Sequence, residues 1–142
     1  MERRCGKRGW LAIAVAALAL AVAAPAAGKV AAEKSGAFYD IMVETAKSGA
    51  RSTATIAVTG KNGYHCNIQY PWKLTLTADP AIKLDKTVLR KADAARFTER
   101  SVAFLVSYEA GAGKTVSAEL KLSLCNDKQC QMETVSLSWP AK

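Results

Sequence analysis

Apolar and polar side chains alternating with a period of two, turn signals at short intervals and no long amphipathic helix predict an all-β fold. The regular spacing points to an immunoglobulin-like β-sandwich of about seven to nine short antiparallel strands. In "TATIAVTG" Ala54, Ile56 and Val58 alternate with threonines, and in "WKLTLTA" Trp72, Leu74 and Leu76 alternate with Lys73, Thr75 and Thr77. "SVAFLVSY" places Val102, Phe104, Val106 and Tyr108 on one face. "VSAELKLSL" sets Val116, Ala118, Leu120, Leu122 and Leu124 against Ser117, Glu119, Lys121 and Ser123, and "ETVSLSW" turns Val135, Leu137 and Trp139 inward. "FYDIMVETA" reads as a further strand with a less clean period, and "KADAARFTER" as a helical turn. Turns fall at Lys61-Asn62-Gly63, Ala78-Asp79-Pro80 and Gly111-Ala112-Gly113.

The first residues belong to a different class of segment. Arg3, Arg4, Lys7 and Arg8 precede an Ala/Leu/Val run from Trp10 to Ala24, followed by Pro25, Ala26, Ala27 and Gly28. That order reads as a secretory signal peptide, expected to span residues 1–26, and implies a periplasmic or secreted product. Residues 27–36, which include "GKVAAEKSG", have no apolar rhythm and read as a flexible lead-in to a single domain over 37–142. No second apolar segment long enough to cross a bilayer follows, so no stable membrane span is expected after cleavage. Removing the leader takes away four basic side chains and one acidic, and the formal charge falls from +8 to +5. The remaining cations are scattered among Asp and Glu without interleaved aromatics, which argues against a nucleic-acid partner.

Export sets the redox context for Cys66, Cys125 and Cys130, the cysteines beyond the leader, because disulfides persist outside the reducing cytosol. "NGYHCNIQYP" holds the sole histidine. Strand parity puts His65 and Asn67 on one face and Tyr64, Cys66 and Ile68 on the other, so Cys66 is expected to be packed and inert. A soft-metal site joining His65, Cys66 and Met132 is a minor alternative, disfavoured because adjacent strand residues point in opposite directions. "GAGKT" lacks the first glycine of a phosphate-binding loop and precedes a strand instead of a helix, so it reads as a hairpin turn.

"SLCNDKQCQME" is the most informative stretch. Parity carried from the flanking strands places Cys125 with Ser117, Glu119, Lys121 and Ser123, and Cys130 with Met132, Thr134, Ser136 and Ser138. Both thiols are therefore expected on the wetter face, at the mouth of one hairpin, where facing positions allow a disulfide. Loop closure over so short a loop contributes only about 2 kcal/mol, which makes a staple inefficient. An accessible pair with Lys128 nearby to favour a thiolate suits exchange chemistry. Redox work and a passive hairpin staple in a non-catalytic binding module both fit these residues.

"CNDKQC" resembles the cysteine segment in the N-terminal domain of the bacterial thiol:disulfide interchange protein DsbD family, and "GYHCN" resembles a strand of that domain. The resemblance covers the chain from about Ala37 onward. It implies a periplasmic immunoglobulin-like domain whose two cysteines, here Cys125 and Cys130, take electrons from a separate membrane donor and pass them to periplasmic thioredoxin-like proteins. His65 and Asn67 would then neighbour the cysteines, and the family's aromatic cap over the disulfide would fall to Leu89 or Phe97. Gln131-Met132-Glu133 stands where the family carries an apolar residue and prolines. The resemblance implies neither a cofactor nor a metal.

Overall fold

Alternation of threonine and serine with β-branched and aromatic residues is converted, strand by strand, into one buried and one exposed face. The computed structural model describes residues 28–109 and 113–141. Six long strands carry the core: β2 (Tyr39–Ser48), β3 (Arg51–Gly60), β5 (Lys73–Ala78), β9 (Ser101–Glu109), β10 (Lys114–Cys125) and β11 (Cys130–Ala141). The apolar sets expected in β3, β5, β9, β10 and β11 are buried, and β2 buries Tyr39, Ile41 and Val43 with a clean period after all. Five further strands complete the count: β1 (Lys29–Ser35), β4 (His65–Cys66), β6 (Lys83–Leu84), β7 (Val88–Arg90) and β8 (Ala94–Phe97). Strands of two or three residues are too short to display a period, which is why the sequence suggests fewer. The helical turn of "KADAARFTER" is a single 3-10 turn at Lys91–Asp93, after which the chain is extended again.

The lead-in expected over residues 27–36 is corrected from Lys29 onward. β1 pairs antiparallel with β2 from Lys29 opposite Thr45 to Ser35 opposite Asp40, with a bulge between Val30 and Ala32. An edge strand of this kind is held by main-chain hydrogen bonds and by Ala31 and Ala32 against the core, so its exposed side chains need no apolar rhythm. The expected signal peptide lies outside the described residues. Among the described residues no helix is long and apolar enough to cross a membrane.

The strands form two antiparallel sheets. The N-terminal sheet runs β1-β2-β3-β9-β6, with β8 also on β9; the C-terminal sheet runs β11-β10-β5-β7, with β4 on β10. β3 beside β9 in one sheet, and β5, β10 and β11 side by side in the other, is the strand order of an immunoglobulin-like sandwich. The sheets are fastened through the core, where Trp139 Nε1–H donates to the Tyr108 hydroxyl at 3.3 Å and Trp72 meets Phe97 edge-on at 6.2 Å between ring centroids. "GAGKT" does not turn a hairpin: β9 and β10 lie in different sheets, so this link crosses between layers. Its Ala110, Gly111 and Ala112 lie outside the described residues, while Gly113 has φ 73°. The turn at Lys61-Asn62-Gly63 also crosses between sheets. Asn62 and Gly63 take φ 56° and 83°, and the Tyr64 N–H closes on the Lys61 carbonyl at 3.1 Å.

Tyr39 gives the sandwich an alkaline limit. Burial first, and then a hydrogen bond and the charge of Glu133, push its hydroxyl from the ordinary 10 up to about 12. The folded state therefore keeps a proton that the unfolded chain loses, so this contribution is complete below pH 10 and disappears as pH rises toward 12. The urea midpoint of the wild type is expected to fall across that interval and that of Tyr39→Phe to fall less steeply. Parallel slopes for the two proteins would contradict this assignment.

Candidate functional site

β10 and β11 pair continuously from Lys114 opposite Ala141 to Cys125 opposite Cys130. At that last position the two cysteines form a disulfide with Cα atoms 3.9 Å apart. The hairpin tip is fastened independently of the bond. Asn126 Oδ1 accepts the N–H groups of Lys128 and Gln129, each at 2.9 Å, and the Asn126 N–H donates to the Gln129 carbonyl at 2.9 Å. Asparagine suits this place because its side chain mimics a backbone turn two residues on.

On the other side of β10 lies β4, which puts His65 directly opposite Cys125 and Cys66 opposite Leu124. Directly opposed residues on neighbouring antiparallel strands share a face. His65, Cys125 and Cys130 therefore form one cross-strand row on the outer face of the C-terminal sheet. The next row is Asn67, Ser123 and Met132: the Asn67 N–H donates to the Ser123 carbonyl at 2.9 Å and Asn67 Nδ2 to Ser123 Oγ at 3.3 Å. Asn67 also accepts from Trp72 Nε1 through its carbonyl at 2.8 Å. It thus fixes β4 against β10 and stands one row from the sulfurs.

The expectation of two wet thiols is corrected for one of them. Cys130 and His65 are exposed, but Cys125 is only 9% exposed. Parity gives its direction correctly, yet Cys125 has His65 of β4 on one side and the bonded Cys130 on the other, and it is covered where Ser117, Glu119 and Lys121 on the same face of β10 stay exposed. Lys128 is exposed at the tip, with its N–H held by Asn126. The site also includes two residues that sequence reasoning passes over. Gln129 Nε2 donates to the Tyr64 hydroxyl at 2.9 Å, and the Tyr64 ring packs on Phe38 at 5.2 Å, which ties the tip to the strand that holds His65. A contact between positions so far apart in the chain leaves no local signal.

Cys66 is fully buried, with its thiol 3.9 Å from the Val58 carbonyl oxygen. Burial pushes that thiol up to about 11, so it stays protonated and unreactive near neutrality. The residues weighed as soft-metal ligands are separated: His65 faces outward, Cys66 inward, and Met132 is 68% exposed on β11. Leu89 cannot cap the disulfide, because it is buried opposite Leu74 on the inner face. Phe97 packs its ring against Trp72 and under the Lys91 ammonium, 5.1 Å from the centroid.

No family model and no curated protein matches the chain. Among solved structures it is similar to the GAE domain of GGA2p from Saccharomyces cerevisiae, at 12% identity and TM-score 0.49, over 80% of this chain and 97% of that one. It is also similar to the yeast GGA1 GAE domain, at 13% identity and TM-score 0.48, over 75% of this chain and 95% of that one.

Proposed function

We propose that this chain is an exported thiol-disulfide exchange module of the DsbD N-terminal type, working through Cys125 and Cys130 in the periplasm. One observation carries the reading. A disulfide spans a hairpin mouth that is already closed by its own hydrogen bonds, with Cys130 exposed and Cys125 covered. A bond with little to fasten and one exposed cysteine is suited to exchange.

The step balances as follows. A partner thiolate attacks the exposed Cys130 sulfur, a new S–S bond forms, and the Cys125–Cys130 bond breaks with its electron pair leaving on Cys125. The partner's second thiolate then attacks its own sulfur in the mixed disulfide and releases Cys130. Two electrons enter the domain, the partner is oxidised to its disulfide, and Cys125 and Cys130 take up two protons. Running the sequence backward passes the electrons on. His65 lies across β10 from the cysteine whose sulfur leaves. In this reading a separate membrane protein supplies electrons and periplasmic thioredoxin-like proteins receive them.

The test is whether the Cys125–Cys130 bond equilibrates with a glutathione or thioredoxin couple. Reversible equilibration supports the proposal; a bond that stays oxidised against both couples makes it a passive hairpin staple and overturns the proposal.

A further inference from the structure

The outer face that carries the disulfide also gathers positive charge. Lys73 on β5 stands directly opposite Arg90 on β7 and directly opposite Lys121 on β10. Leu74, Leu89, Leu120 and Leu122 occupy the core, so alternation turns all three cations outward. Like charges directly opposite each other on adjacent strands destabilise a sheet. Little offsets them internally. Among the described residues neither Lys73 nor Lys121 makes an ion pair, and Arg90 lies near an Asp93 carboxylate that is bound to Lys86. Glu119, opposite Thr75 in the neighbouring row, leaves the face with an excess of positive charge.

This row is continuous with the proposed reactive site. Lys121 is four residues from Cys125 along β10, about 13 Å at the rise of a strand, with the Asn67–Ser123–Met132 row between them. At its other end the row opens on a groove of about 340 Å³ lined by Ile68, Tyr70, Pro71 and Trp72 together with Arg90 and Lys91. A groove lined by both apolar side chains and cations complements a segment that carries an apolar side chain beside carboxylates.

We infer that the Arg90–Lys73–Lys121 row and this groove dock an acidic segment on the surface of the exchange partner. The inference rests on the thiol-disulfide reading and adds the chemistry of the partner to it. Carboxylates held over the row would orient the partner's thiols toward Cys130 and raise the encounter rate by steering.

The experiment uses two synthetic dithiol peptides that share one Cys-x-x-Cys core, one flanked by aspartates and an apolar residue, the other by lysines and the same apolar residue. Reduction of the oxidised domain is followed at low and high salt, with dithiothreitol as an uncharged reference. The acidic peptide is expected to react roughly tenfold faster than the basic one at low ionic strength, and salt is expected to erase the difference. In Lys73→Glu/Lys121→Glu the ratio is expected to fall to one or below. Equal rates for the two peptides with the wild type, or a preference that survives charge reversal, would overturn the inference while leaving the exchange reading intact. Binding of the domain to anionic vesicles or nucleic acid with no preference between the peptides would overturn it as well. Failure of dithiothreitol and both peptides to open the bond would instead sink the exchange reading, and the docking inference with it.

Discussion

Cys125→Ser is expected to accumulate a mixed disulfide with a thioredoxin-type partner through Cys130, and Cys130→Ser is expected to trap roughly tenfold less through Cys125. The asymmetry follows from access. Cys130 is exposed on an outer strand, whereas Cys125 is 9% exposed between His65 and position 130. With Cys125 gone, the domain has no thiol of its own to resolve the adduct on Cys130, and only the partner's second thiol is left to release it. Both variants should fold, because the bond closes a loop worth only about 2 kcal/mol, while Asn126 fastens the tip and the strands pair along their whole length. Mass spectrometry of the adducts after equal incubation with the oxidised partner measures the ratio. Equal capture by the two variants would mean that cover over Cys125 does not direct the attack.

Trp139→Ala is expected to cost about 3–5 kcal/mol, the range for removing a large aromatic side chain from a core. That is a large share of the roughly 5–15 kcal/mol by which a domain is stable. Trp139 is 1% exposed, and its indole N–H reaches the Tyr108 hydroxyl on the opposite sheet. Its removal leaves a cavity between the layers and takes away a hydrogen bond that joins them. Trp139→Phe keeps most of the apolar volume and should cost about 1–2 kcal/mol. Urea denaturation of the three proteins gives the comparison. A loss below about 1 kcal/mol in Trp139→Ala would show that the sheets are held elsewhere.

The sequence makes this sandwich legible wherever a strand has one face in the core and is long enough to repeat. Ile56, Phe104 and Leu120 announce their strands because burial selects every second residue. β1 is silent because its hold on β2 is through main-chain bonds that any side chain permits. β4 is read as a strand from its parity, but nothing local places it beside β10. The missing neighbour explains the misjudged cover over Cys125: parity fixes which face a side chain takes, but the side chains on either side determine how much water reaches it. Cys66 is legible for the converse reason, since Tyr64 and Ile68 mark its face as the inner one. The link at Gly111 to Gly113 reads as a turn, yet a turn signal does not say whether the next strand pairs with the last or joins the other sheet. Lys73, Arg90 and Lys121 look scattered along the chain and become a row only through the register of β5 with β7 and β10.

The central claim is that the Cys125–Cys130 bond is one the cell opens and closes. Its reduction potential, measured by equilibration against a glutathione or thioredoxin couple with alkylation of the thiols formed, tests this most directly. A reversible two-electron transition between about −270 and −120 mV, the span of working thiol-disulfide proteins, is the predicted result. A potential below about −300 mV, where structural disulfides resist reduction, would contradict it.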